Sequence, residues 1–523
     1  MGASGSSDVA RLLFLNPLVA PAFAELWFVA SSTLGNRGYP GTICIVSFRA
    51  FCCWMLMGLA GCHSEGRGRR ASTIDPAAYP PCDVPSDAYQ PDKPLNTPGA
   101  PVWIRRFGCQ ADDRAMGVVI EHDGNVVATG SFSGRVSFGD APLISGGKQD
   151  AFVVRWDAKG KPVWSLRLGG LNSEAQGTNI MLGATGELML AGRFHGVLDA
   201  TQPQLLSRGL DPFVLMMSKD GSFLWARRFE RAGTSEHARV PVAGDAMGGT
   251  LVALSPSNPK ADDGVVVRVD PSGDIAGQVP LAEGTVASVA VHANRSVLLA
   301  GFRGLPHSQK PKGLPRVTGS APVGLASQLL FLTKIDDQAR RVWWREIGDA
   351  RVRAFGEPLL MVDPQGYGYL AFSYQGEIDV GTGTMDSSGG FDIVMMKLDP
   401  AGRTVWARAF AGPQGNEWVN GLAVDPAGHL AVGGAFEAAV DFGGGPIMSA
   451  GPISGFVAIF DSLGRHLWSR VFGAQQSRAV VESVSLGAEN VAVAGSFQGW
   501  TDFGGGLVPS AGQWDGFVAL LRR

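Results

Sequence analysis

The chain has 523 residues, with 44 Lys and Arg against 47 Asp and Glu and a formal net charge of -3. Interspersed charges of both signs exclude the basic field of a nucleic-acid binder and the acidic run of a solvating tail. Glycine, at 72 residues, suits short strands joined by tight turns. A single sandwich or barrel seldom needs this length, so the chain is either several domains or one repeat array.

All six cysteines, Cys44, Cys52, Cys53, Cys62, Cys82 and Cys109, precede residue 110. Arg49 leads into the apolar run AFCCWMLMGLAG, which ends at Leu59-Ala60-Gly61-Cys62 before the polar HSEGRGRR. The run is too short to span a bilayer as a stable helix. It resembles a bacterial lipoprotein signal with its lipobox, making 1–61 a signal region. The resemblance implies cleavage before Cys62, a lipid on its thiol and a place in the bacterial cell envelope. His63-Ser64 follow, rather than the aspartate that marks inner-membrane retention in some bacteria, which favours the outer membrane or cell surface. Signals normally occupy about 15 to 30 residues, so two starts remain open. Val46 would leave VSFRAFCCWMLMGLAG as a compact signal, and Met1 would make 1–45 a long extension.

Residues 62–100 are rich in proline and poor in large apolar side chains, and read as an extended tether. Cys82 and Cys109 would be the two free thiols of the mature chain in an oxidising compartment. They either pair, stapling tether to repeats, or stay separate.

Residues 101–523 repeat. Trp103, Trp164, Trp225, Trp343, Trp406 and Trp468 are separated by 61, 61, 118, 63 and 62 residues, so one tryptophan is missing near DIAGQVPLA at 274–282. Each is preceded by a strand such as DAFVVRWDAKG or GFVAIFDSLG, of which there are seven. A strand ending in a small residue and an aromatic recurs, as in VVATGSF, LMLAGRF, LAFSY and LAVGGAF. The third unit is eroded, and the fourth carries the longest insertion, 303–327. Such units cannot bury their faces alone and must stack. The chain opens on a tryptophan-type strand, PVWIRRFG, and ends on DGFVALLRR without one. The expectation is therefore an all-β, seven-bladed β-propeller of four antiparallel strands per blade, closed by residues 102–107 beside 516–521. This resembles the SBBP-type β-propeller repeats of secreted and lipid-anchored bacterial proteins, whose motifs specify fold and hardly function.

The Asp-x-x-Gly segments, such as 157–160, 399–402 and 461–464, carry one carboxylate each, too few for a calcium site. They read as turns in which Asp accepts backbone hydrogen bonds and Gly takes the left-handed conformation. Asp-Phe-Gly at 441–443 and 502–504 lacks every other kinase element. DAKGKPVW and DPAGRTVW resemble the docking motif of quinoprotein propellers, which makes a quinone-dependent dehydrogenase the enzyme alternative. The vicinal Cys52-Cys53 pair such an enzyme would place over its quinone lies in the signal region, so the tryptophans read as blade packing and no cofactor or metal is expected. The eight histidines show no paired ligand spacing, and no nucleophile has a recognisable base. The insertion carries Arg303, His307, Lys310, Lys312 and Arg316 without an acid, and is a candidate partner loop. The face around the central channel is a second candidate, with no residue set to single out. The expected function is a non-catalytic, monomeric envelope platform for a protein, peptide or glycan partner, with a scaffold for outer-membrane protein assembly as a further alternative.

Overall fold

The computed structural model describes residues 87–89, 97–139, 141–183, 185–201, 203–230, 239–254, 264–281, 284–304, 328–349 and 352–523. These form a seven-bladed β-propeller, each blade an antiparallel sheet. Blade 6 shows the plan: Glu417–Val424, Leu430–Phe436, Ser454–Phe460 and His466–Phe472, in spatial order from the axis outward. Its two middle strands, LAVGGAF and SGFVAIF, are buried at every residue because a blade lies on each of their faces. The outer strand alternates instead, since only part of it meets a neighbour.

The inner strands are Arg114–Ile120 in blade 1, Glu174–Leu182 in blade 2, Val242–Gly244 in blade 3, Thr285–Val291 in blade 4, Arg353–Val362 in blade 5, Glu417–Val424 in blade 6 and Arg478–Leu486 in blade 7. Each packs on the next, and blade 7 packs on blade 1, so the ring closes around one axis. The closure joins the two ends of the repeat region. Pro101–Phe107 lies antiparallel to Asp515–Arg522, with Arg106 opposite Phe517 and Phe107 opposite Gly516. The expected pairing of 102–107 with 516–521 is therefore found, and the last blade has no open edge there. Asp87–Tyr89, inside the stretch read as tether, adds a fifth, outermost strand to this sheet.

Tryptophan locks the seams. Trp103 Nε1 donates to the Ala158 carbonyl (3.2 Å), Trp225 to Pro271 (3.1 Å) and Trp406 to Ser462 (3.2 Å), in each case on the turn between the third and fourth strands of the next blade. The glycine of that turn lies against the ring. A Cβ on Gly160, at φ +80°, would sit 2.8 Å from Trp103, so the turn needs glycine both for its backbone and for its neighbour. The turn's Asp acts as expected, with Asp157 Oδ1 accepting the amides of Lys159 and Lys161. At the blade 3 to blade 4 seam both halves are gone. Gly277 stands where the tryptophan would be, opposite Arg268, and Ala339, at φ 64°, stands where the turn glycine would be.

Candidate functional site

The inner strands of all seven blades line a central well of about 540 Å³. Its lining runs from Arg239 and Glu357 to the strand ends at Gly183, Val362 and Leu486. The well thus opens on the face carrying the turns from inner to second strand, and ends at the level of Arg239 and Glu357. Val119, Met181, Val291, Met361, Val424 and Leu486, from six different blades, supply an apolar wall.

The floor comes from where two blades break the repeat. In blades 1, 2, 4, 6 and 7 the inner strand has a one-residue bulge, at Met116, Thr178, Ala287, Asn420 and Glu482. The glycines nearby on the second strands, Gly130, Gly192, Gly301, Gly434 and Gly495, follow from it, since a Cβ there would lie 1.8–2.1 Å from an inner-strand carbonyl oxygen. Blade 5 has Phe372 in place of that glycine. Phe355 pairs with Ser373 and Leu359 with Ala371, so Gly356, Glu357 and Pro358 all bulge opposite Phe372. This wider bulge puts Glu357 into the lumen. Blade 3 has no bulge and an inner strand of only three residues. The chain just before that strand is tied elsewhere. Val240 N–H donates to Thr178 Oγ1 of blade 2 (3.3 Å), and Arg239 N–H donates to Glu357 Oε2 of blade 5 (3.3 Å). The Arg239 guanidinium donates to the Glu482 carbonyl of blade 7. No two of blades 2, 5 and 7 are neighbours, so Arg239 bridges the lumen.

Glu357 is partly buried where it lines the lumen. Burial pushes its carboxyl up to about 7, against the opposing pull of the Arg239 and Arg193 guanidiniums and the Arg239 amide. Arg193, on the second strand of blade 2, is itself buried, and desolvation lowers its pKa.

Two further carboxyl pairs are buried between blades, at the opposite ends of the strands. Asp392 and Glu417 face each other across the blade 5 to blade 6 seam, and both are fully buried. Burial, then Asp392, holds Glu417 well above the carboxylate range, so the pair retains a proton. Asp113 and Asp515 stand at the blade 7 to blade 1 seam. Burial raises them to about 7 and about 6. Asp113 accepts the amides of Cys109 and Ser133. Among the described residues, no three His, Cys, Asp or Glu side chains converge to hold a metal ion.

The residues singled out in the sequence are not brought together here. Cys62, Cys82, His307, Lys310, Lys312 and Arg316 lie outside the described residues. Cys109 is disulfide-bonded, and since the other five cysteines lie outside the described residues, so does its partner. Arg303 is paired with Glu346 (2.5 Å) at the end of blade 4 opposite the well mouth. Arg239, Glu357 and Arg193 were missed. The available signal was LAFSY, whose Phe372 replaces the repeat's glycine, together with an acid flanked by Gly356 and Pro358 in an inner strand.

No family model matches the chain. Over 147 residues, 27% of its length, it is 29% identical to the regulatory protein FlaEY of Caulobacter vibrioides, and the chain spans only 15% of that relative. Among solved structures it is similar to the Dos1 propeller, at 8% identity and a TM-score of 0.39, over 81% of this chain and 94% of that one. It is also similar to a protein of unknown function from Bacteroides caccae, at 14% identity and a TM-score of 0.30, over 56% of this chain and 81% of that one.

Proposed function

We propose that the protein is a non-catalytic interaction platform, lipid-anchored through Cys62 at the bacterial outer membrane or cell surface and built of SBBP-type repeats. One observation carries the platform reading. Between the second and third strands, blades 6, 7, 1 and 2 extend hairpins or strand tips at the end opposite the well. Met448, Leu507, Ile144 and Leu206 on these are each more than half exposed. Single exposed apolar residues are ordinary, but Met448, Ile144 and Leu206 recur at one repeat position and Leu507 lies two residues earlier on its own hairpin, so this group on four consecutive blades fits an apolar protein or peptide partner. The insertion 303–327, whose first two residues end the second strand, leaves blade 4 from the same end.

The full chain carrying Met448→Lys and Leu507→Lys should lose the partner that the unaltered chain recovers from envelope extract. Deletion of 305–327 in parallel reads the loop's share. Equal recovery with both changes removes this surface as the platform. The address is tested separately. Cys62→Ala should abolish palmitate labelling and release the protein from the membrane fraction, and surviving label would show the anchor to be elsewhere.

A further inference from the structure

The central well combines three properties that the outer surface does not. It opens on the face carrying the turns from inner to second strand, its wall is apolar around the ring, and the Arg239 guanidinium stands at its inner end. At the floor the Arg239 guanidinium lies near one carboxyl, Glu357, whose Oε2 accepts the Arg239 amide, and Arg193 acts on that carboxyl without lining the well. Glu482 offers only its carbonyl, and its side chain does not line the well. The other acid in the lining, Asp245, sits near the mouth, where the amides of Met247 and Gly249 and the nearby Arg268 take it up. An apolar body therefore gains by displacing water along the wall, and one negative end gains by reaching the floor. A guanidinium presents five N–H donors in a planar fork, and the Glu482 carbonyl takes one of them.

We propose that the central well binds an aliphatic carboxylate, with its hydrocarbon chain along the wall and its carboxylate on the Arg239 guanidinium. The volume suits this class. At about 540 Å³ the well falls within the usual range for small-molecule sites, roughly 300 to 1,000 Å³, and its depth is set by the inner strands. A cationic amphiphile of the same length would bring a second positive charge beside the Arg239 guanidinium. A neutral alcohol would keep the wall contacts and lose the charge-assisted hydrogen bonds. The site is separate from the hairpin surface, so a macromolecular partner and this ligand need not compete.

The test is equilibrium dialysis of the full chain, held in phosphatidylcholine nanodiscs with empty discs subtracted, against radiolabelled decanoate. Decan-1-ol and decylamine serve as competitors. The expected result is one saturable equivalent of decanoate, displaced weakly by the alcohol and not by the amine. Arg239→Met should weaken binding about tenfold or more, the scale of one charge-assisted contact, with an unchanged circular dichroism spectrum. Met361→Trp narrows the well away from the floor and should block decanoate, so the proposal stays testable if the Arg239 variant fails to fold. Absence of saturable binding overturns it. So does equal competition by alcohol and amine, or decanoate binding that survives both substitutions.

Discussion

Blades 6 and 3 come from the same repeat and do opposite work. Blade 6 receives Trp406 from blade 5 on the turn that ends at Gly464, and sends Trp468 against Gly99 beside the closing strand. Its inner strand keeps the one-residue bulge and pays it back with Gly434. Blade 3 receives Trp225 but sends no tryptophan, has lost the bulge, and has an inner strand of three residues. What it supplies instead is Arg239, reaching across the lumen to two other blades. Regular blades hold the ring, and the ring in turn tolerates irregular blades whose residues do something other than pack. Blade 5 is intermediate: it keeps both tryptophan seams, but its bulge has widened to present Glu357.

The largest effect should come from breaking a regular seam. Trp103 is fully buried, lies tilted against Trp156 with 6.0 Å between ring centroids, and joins the closing strand to blade 1. Trp103→Ala should cost about 3 to 5 kcal/mol, the usual range for a buried tryptophan, measured as a lowered denaturant midpoint. Because this seam also closes the ring, a second transition during unfolding would mean that blades 7 and 1 separate first. A loss below about 1 kcal/mol would mean that the closing strand is held by its ladder and not by the lock.

The blade 5 to blade 6 seam allows a test by pH. Glu417 has its folded pKa raised above the ordinary value of about 4.3 by burial and by Asp392. The folded state then holds a proton that the unfolded chain releases. This stabilisation is complete below the unfolded pKa and is lost as pH rises through the folded one, so stability should fall from pH 5 upward. Glu417→Gln keeps a neutral amide and cannot lose that proton. Its stability curve should be shallower by about one proton, or up to about 1.4 kcal/mol per pH unit, while Asp113, Asp515 and Glu357 still contribute slope in the same direction. Thermal melts from pH 5 to 9 read the difference. Parallel curves for the two proteins would show that the pair does not share a proton.

The ring was legible in the sequence because its determinants are local and periodic. The tryptophan spacing marks the outer strands, the 118-residue gap marks the missing lock, and the unmatched first and last strands mark the closure. The floor of the well was not legible for a physical reason. Arg239 and Glu357 are 118 residues apart on blades that are not neighbours in the ring, and only the curvature of the closed ring brings them together. Asp392 and Glu417 were equally hidden, since an acid at the start of a strand looks like a solvated one until the neighbouring blade covers it. The glycine of LAVGGAF is visible in the repeat, but the bulge that requires it is a property of the register and leaves no mark in the sequence.

The smallest effect concerns the seam that lacks its lock, and it asks whether the two losses there belong together. Ala339 holds φ 64°, a conformation that costs a residue with a Cβ about 1 to 2 kcal/mol. Ala339→Gly relieves that cost but frees the unfolded chain by about 0.4 to 1 kcal/mol, so the net gain should be within about 1 kcal/mol. Gly277 faces open space, with no heavy atom within 4 Å of a Cβ placed there. Gly277→Trp alone should gain little, because at the other seams the ring lies 2.7–3.4 Å from the Cβ position of the turn glycine, and here Ala339 already fills that space. With both changes the ring can settle on the turn and donate to its carbonyl, as Trp343 does to Pro400. The double variant should then exceed the sum of the single ones by about 0.5 to 1 kcal/mol in a denaturation cycle. Strict additivity would mean that blade 4 no longer has the shape to receive a tryptophan, and that the seam has diverged beyond the two residues that mark it.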